Sequence, residues 1–140
     1  MVNVLTGPKG SGKTQQMIDL ANEAVKTSSG NVVLIKKRHT DTSSVDFNVR
    51  AICMADYADI TDIEEFKGFL YGMVAGNHDI ETIFIDGVLK QVDISISNLS
   101  MFIDILKKLS EENNIEFYIS ISASLDEMPD VDFSDCKMLN

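Results

Sequence analysis

The stretch Gly7-Pro8-Lys9-Gly10-Ser11-Gly12-Lys13-Thr14 restricts the folds open to this chain more than any other. It follows Val2, Val4 and Leu5, an apolar run long enough for one short buried strand. It precedes Met17, Leu20, Ala21, Ala24 and Val25, an apolar stripe at helical spacing. A glycine-rich turn that carries a buried strand straight into a helix is a junction of α/β architectures.

The eight residues fit G-x-x-x-x-G-K-[ST] at every fixed position. Random composition would give such a match in a chain of this length on the order of half a percent of the time. Each fixed position has a physical reason. Glycines permit the backbone angles that turn successive N–H groups inward around an anion. The helix that follows presents its unpaired N–H groups and the positive end of its dipole. Lys13 adds a mobile cation for the outer phosphates, and Thr14 a hydroxyl for Mg²⁺. The expected contact set is Gly7, Pro8, Lys9, Gly10, Ser11, Gly12, Lys13, Thr14 and Gln15, with Lys13 acting on the reacting phosphate.

A triphosphate site of this kind also needs a carboxylate on the metal side. Ile83-Phe84-Ile85-Asp86 supplies one at the end of a buried strand, at the same sheet edge as the loop. Thr14 and Asp86 are therefore the expected metal pair, with Asp86 holding Mg²⁺ through a water and sharing the catalytic role with Lys13.

The rest of the chain alternates. Ser28-Ser29-Gly30 ends the first helix, with Gly30 expected as a left-handed stop. Val32 to Ile35 reads as a second strand, and residues 36–48 as an exposed, mobile loop. Residues 49–57 have room for a short strand. Thr61-Asp62-Ile63-Glu64 fits a capping box before a helix that buries Ile63, Phe66, Phe69, Leu70, Met73 and Val74. Gly68, Gly72 and Gly76 are expected to pack that helix closely on the sheet, with a subunit interface as the alternative. Ser97 or Asn98 caps a helix burying Leu99, Phe102, Ile103, Leu106 and Leu109. Asn113-Asn114 ends it, and Ile115 to Ala123 forms a further strand. The last residues have room for one edge strand. The expected fold is a three-layer α/β/α sandwich with a mostly parallel sheet of about five strands, in a single domain over residues 1–140.

Composition excludes several classes. A formal net charge of −10 repels nucleic-acid backbones and anionic membranes, so neither is an expected partner. A buried strand at residues 2–6 leaves no room for a leader before the loop, and no apolar run reaches membrane-spanning length. Cys53 and Cys136 have no paired spacing and read as free thiols of a cytoplasmic protein without structural zinc.

On these residues the chain resembles the P-loop NTPase superfamily, with the RecA-like core that this implies. It looks most like the branch in which another strand lies between the loop strand and the Asp86 strand. The strand over residues 115–123 would be that insert, putting Ser122 or Ser124 near the outermost phosphate; a plain surface serine is the equal alternative. The N-terminal half is similar to zinc-containing thymidine kinases, through Gly7-Pro8, Ser11-Gly12-Lys13, Lys36 and Asp41-Thr42. It departs from them where a Glu would follow Asp86 and Gly87 stands instead, and where a four-cysteine lobe would be. A complete thymidine kinase site is not expected. The Asn-Lys-x-Asp pattern that reads guanine is absent, which leaves ATP as the default nucleotide.

The expectation is an ATP-binding, Mg²⁺-dependent ATPase with weak intrinsic activity. The alternatives are a small-molecule, nucleoside-type kinase and a non-hydrolysing nucleotide-dependent switch or scaffold. Asp56, Asp59, Asp93, Asp126 and Glu127 are open candidates for the water-orienting base. Arg38 and Arg50 are candidates to close over the phosphates, or plain surface arginines, and His39 is expected in solvent. A protein partner or a homodimer could supply a missing group.

Overall fold

The continuous apolar runs become the strands of one sheet. The structure is a computed structural model that describes residues 1–40 and 44–140. Strand β1 (Val2–Thr6) leads through the glycine-rich loop into helix α1 (Lys13–Thr27). There follow β2 (Asn31–Lys36), β3 (Arg50–Cys53), α2 (Ile63–Gly76), β4 (Ile80–Ile85), α3 (Leu99–Asn113), β5 (Glu116–Ile121) and β6 (Cys136–Met138). The six strands lie in the order β3-β2-β4-β5-β1-β6, and every pairing is parallel. The sheet thus has one strand more than about five, because β6 adds to the edge beside β1. As expected, β5 separates β1 from β4.

Strand alternation divides the core in two. Val33, Ile35, Ile83, Ile85, Phe117 and Ile119 meet α2 and α3 on one face. Leu5, Val32, Leu34 and Phe84 meet Met17, Ile18 and Ala21 of α1 on the other. That is the three-layer sandwich. Phe66 and Phe102 join α2 to α3 at 5.8 Å between ring centres, and Phe84 stacks on Tyr118 at 4.6 Å on the α1 face. Each such side chain contributes about 1.5–3 kcal/mol by leaving water. All five apolar residues expected on α3 are buried, and Asn114 ends that helix in the left-handed region, at φ 55°.

Four local expectations need correction. On α1 the buried stripe runs through Met17, Ile18 and Ala21, while Leu20 is exposed, so the contact face is turned by part of a turn from the expected one. The cap of α2 is Asp62, one residue later than the capping box suggested: its carboxylate accepts from Glu65 N–H, and Glu65 reaches back to Thr61. Gly30 is not a left-handed stop, since α1 ends at an extended Ser28. Gly30 is needed for space: a Cβ there would lie 2.3 Å from the Asp79 carbonyl oxygen.

The glycine row also departs from expectation. Gly68, Gly72 and Gly76 are exposed, and a Cβ at any of them would meet nothing within 4 Å. They do not pack on the sheet. A helical glycine in open space only adds backbone freedom to the unfolded chain. Replacing Gly68 and Gly72 by Ala is therefore expected to stabilise the protein by about 0.5–1 kcal/mol each. The check is a higher urea midpoint at unchanged slope. A lower midpoint would mean that another surface covers this face in solution.

Among the described residues, no helix is long and apolar enough to cross a membrane. Cys53 and Cys136 are free thiols on β3 and β6, at opposite edges of the sheet.

Candidate functional site

All six strands point their C-terminal ends to one edge, so the loops that follow them share it. The loop after β1 is shaped by Gly10 and Gly12, at φ 84° and 86°. Gly12 is the N-cap of α1 and makes no side-chain cap to the first-turn N–H groups, and that turn holds no acid. These donors and the helix dipole together favour an anion. Lys13, only 7% exposed, folds back on the loop and donates to Pro8 O at 2.8 Å and Ser11 Oγ at 3.3 Å. Burial, and next the positive charge of Lys90, pull its ammonium below the usual lysine range, with Asp86 acting in the opposite sense. An arriving anion would relieve that cost.

The carboxylate of Asp86 lies directly beside the loop. Thr14 Oγ1 donates to its Oδ2 at 3.0 Å, and Ser120 Oγ donates to its Oδ1 at 2.8 Å. With its proton given to Asp86, the Thr14 oxygen keeps its lone pairs for another acceptor of electrons. Two hard oxygen groups held together in this way suit Mg²⁺. Ser120 is in turn fixed by Gly87 N–H, which donates to its Oγ at 2.7 Å. Gln91, fully buried, donates from Nε2 to Asp86 O at 3.2 Å. The next residue, Val92, has φ 41°, a strained value for a β-branched side chain.

Two cavities meet at this point. One, about 290 Å³, is lined by Lys9, Gly10, Gly12, Lys13, Thr14, Asp86 and Lys90, with Ser120 and Ser122 behind. The other, about 530 Å³, shares Lys9, Thr14, Asp86 and Lys90 and extends over Lys36, Lys37, Arg38 and Thr40. Lys36 is buried and donates from Nζ to Thr40 O, which ties the end of β2 to the segment beyond it. Lys9, Lys13, Lys36, Lys37, Arg38 and Lys90 thus gather six of the chain's twelve Lys and Arg around one carboxylate. In a chain of net charge −10 this is a local field of opposite sign.

The expected residues divide accordingly. Lys9, Gly10, Gly12, Lys13, Thr14 and Asp86 come together at the cavities. Gly7 N–H bonds to Ala123 O at 3.1 Å, anchoring the start of the loop to the chain beyond β5. Gln15 turns its side chain to Asp19 instead. Ser122 lines the smaller cavity, whereas Ser124 caps the short turn Leu125–Glu127. Arg38 lines the larger cavity, while Arg50 lines a separate pocket. The open candidates for a base are placed elsewhere. Asp93 accepts from Ile63 N–H at the start of α2, Glu127 accepts from Ser124, and Asp56 pairs with His39. Asp59 and Asp126 are exposed and line neither cavity. His39 is exposed as expected, but bonded. Asp41-Thr42 lies outside the described residues.

Sequence reasoning missed Ser120, Gln91 and Lys90. A serine between Ile119 and Ile121 in a buried strand was the one available signal for Ser120. The chain matches no protein-family model, and no curated protein matches it in sequence.

Proposed function

We propose that this protein is a P-loop NTPase that binds ATP with Mg²⁺ and hydrolyses it slowly on its own. The hydrogen bond from Thr14 to Asp86 carries the reading: it joins the end of the glycine-rich loop to the strand-end carboxylate. In this reading the loop amides and Lys13 hold the phosphates, Thr14 ligates Mg²⁺, and Asp86 holds it through a water. The strand order, with β5 between β1 and β4, supports the branch that the sequence resembles. Slow turnover follows from the carboxylates. Among the described residues that line the two cavities, Asp86 is the one acid, and it is committed to the metal side. Gly87 follows it in the left-handed region, at φ 71°, where a Glu would be strained.

The larger cavity favours a second reading, a phosphotransferase with an anionic acceptor. Its space beyond the loop is rimmed by Lys36, Lys37 and Arg38, which the first reading leaves unused.

The deciding experiment follows ATP binding, ADP formation and phosphate release together over hours, with Mg²⁺ present. Binding with slow, equal production of ADP and phosphate is expected. ADP formed without free phosphate, in the presence of an anionic acceptor, would favour the second reading. Binding without ADP would favour a switch. No binding would overturn the proposal.

A further inference from the structure

A different set of ligating side chains gathers at the outer edge of the sheet, beyond β2. His39 belongs to the segment after β2, Cys53 is the last residue of β3, and Asp56 closes the short turn Met54–Asp56 that continues it. One ring nitrogen, the thiol sulfur and one carboxylate oxygen of these residues all lie within 4.8 Å of one another. We propose that they hold a divalent ion of the zinc class.

The donor set points to that class. A sulfur, an imidazole nitrogen and a carboxylate oxygen suit a borderline-soft ion, whereas Mg²⁺ and Ca²⁺ take oxygen alone. Three protein ligands leave a fourth position for water, and the residues line a pocket of about 170 Å³ with room for it. Charge requires both anions. Lys36, Arg38 and Arg50 line the same pocket and oppose a cation. The carboxylate and an ionised thiol together offset the ion's two charges, so binding releases the Cys53 proton.

The groups are already close to their places. His39 Nε2 and Asp56 Oδ1 are 2.9 Å apart, and the Cys53 thiol donates to Lys37 O at 3.3 Å. Losing that thiol proton leaves the carbonyl satisfied, because Ala55 N–H also donates to it at 3.0 Å. A bound ion would clamp the segment from Lys37 to Thr40 onto the end of β3. Lys37, Arg38 and Thr40 line the basic cavity, so the ion would fix one wall of it. The metal site itself does not depend on the nucleotide reading.

The test uses tag-free, fully reduced protein titrated with Co²⁺ and then with Zn²⁺. A thiolate-to-cobalt charge-transfer band is expected, displaced by Zn²⁺, with close to one ion retained per chain after dialysis. Cys136→Ser should keep the band, and Cys53→Ser should lose it. His39→Ala and Asp56→Asn alter exposed side chains and should leave the fold intact. Each should weaken Zn²⁺ binding by about tenfold or more. No band in the native protein would overturn the proposal. So would a band that survives Cys53→Ser, or one unchanged in both exposed-residue variants. An ion held by Thr14 and Asp86 produces no thiolate band, so the two sites are told apart.

Discussion

Lys13→Ala should weaken Mg²⁺-ATP binding by about 10- to 100-fold while leaving the melting temperature nearly unchanged. The binding loss is that of a charge-assisted hydrogen bond to phosphate, about 1.5–3 kcal/mol, and each 1.4 kcal/mol is tenfold. The stability argument rests on the lysine's surroundings. Its ammonium is buried against neutral acceptors, Pro8 O and Ser11 Oγ, and burial already disfavours its charge. Removing it relieves that cost as it removes two hydrogen bonds, and alanine is the better helix former at the start of α1. Calorimetric titration together with a thermal melt separates the two effects. Unchanged ATP affinity would refute the loop assignment. A large fall in melting temperature would show that the ammonium holds the loop together.

Asp86→Asn should split the behaviour of metal-bound and metal-free nucleotide. An amide has one oxygen, but the carboxylate accepts from both Thr14 and Ser120. One of these hydroxyls must then face an NH₂ group, and in either orientation the site loses the negative charge that would hold the ion. Mg²⁺-ATP affinity should fall about tenfold or more, the scale on which ligand-orienting groups act at metal sites. Metal-free ATP should bind equally well or better, because a negative charge has gone from beside six cations; among the described residues lining the two cavities Asp86 is the one acid. Titrations with Mg²⁺ and with EDTA measure both. Equal losses in the two would leave Asp86 a positioning residue with no metal role.

The fold was legible wherever a single segment carries its own signal. The Gly7–Thr14 loop, the buried runs at residues 32–35 and 83–85, and the α3 stripe each declare themselves within a dozen residues. Errors arose where the environment decides. Leu20 and Ile18 are equally apolar, and only the position of the sheet selects Ile18. The spacing of Gly68, Gly72 and Gly76 specifies a common helix face but not which way that face turns. Gly30 reads as a stop from its neighbours, while its true constraint comes from Asp79, far along the chain.

The candidate site was legible to the same extent. Lys13, Thr14 and Asp86 sit in patterned stretches. Ser120 reaches Asp86 only through the β5 crossover, and Lys90 joins the cavity lining only through the turn Val88–Lys90. Lys36, Lys37 and Arg38 read as part of a polar loop until β2 is laid next to β4. The grouping of His39 with Cys53 and Asp56 likewise needs β3 paired to β2, because no cysteine or histidine spacing marks it.

Gathering half of the cations at one sheet edge also governs how a polyanion arrives. Approach elsewhere is opposed by the chain's net charge of −10. Approach toward the loop edge is drawn in, so encounters are sorted by direction before any hydrogen bond forms. Added salt screens both the repulsion and the attraction, to about 8–10 Å at physiological ionic strength. The molecule therefore trades a smaller target for better-aimed collisions, and that selectivity is strongest in dilute buffer.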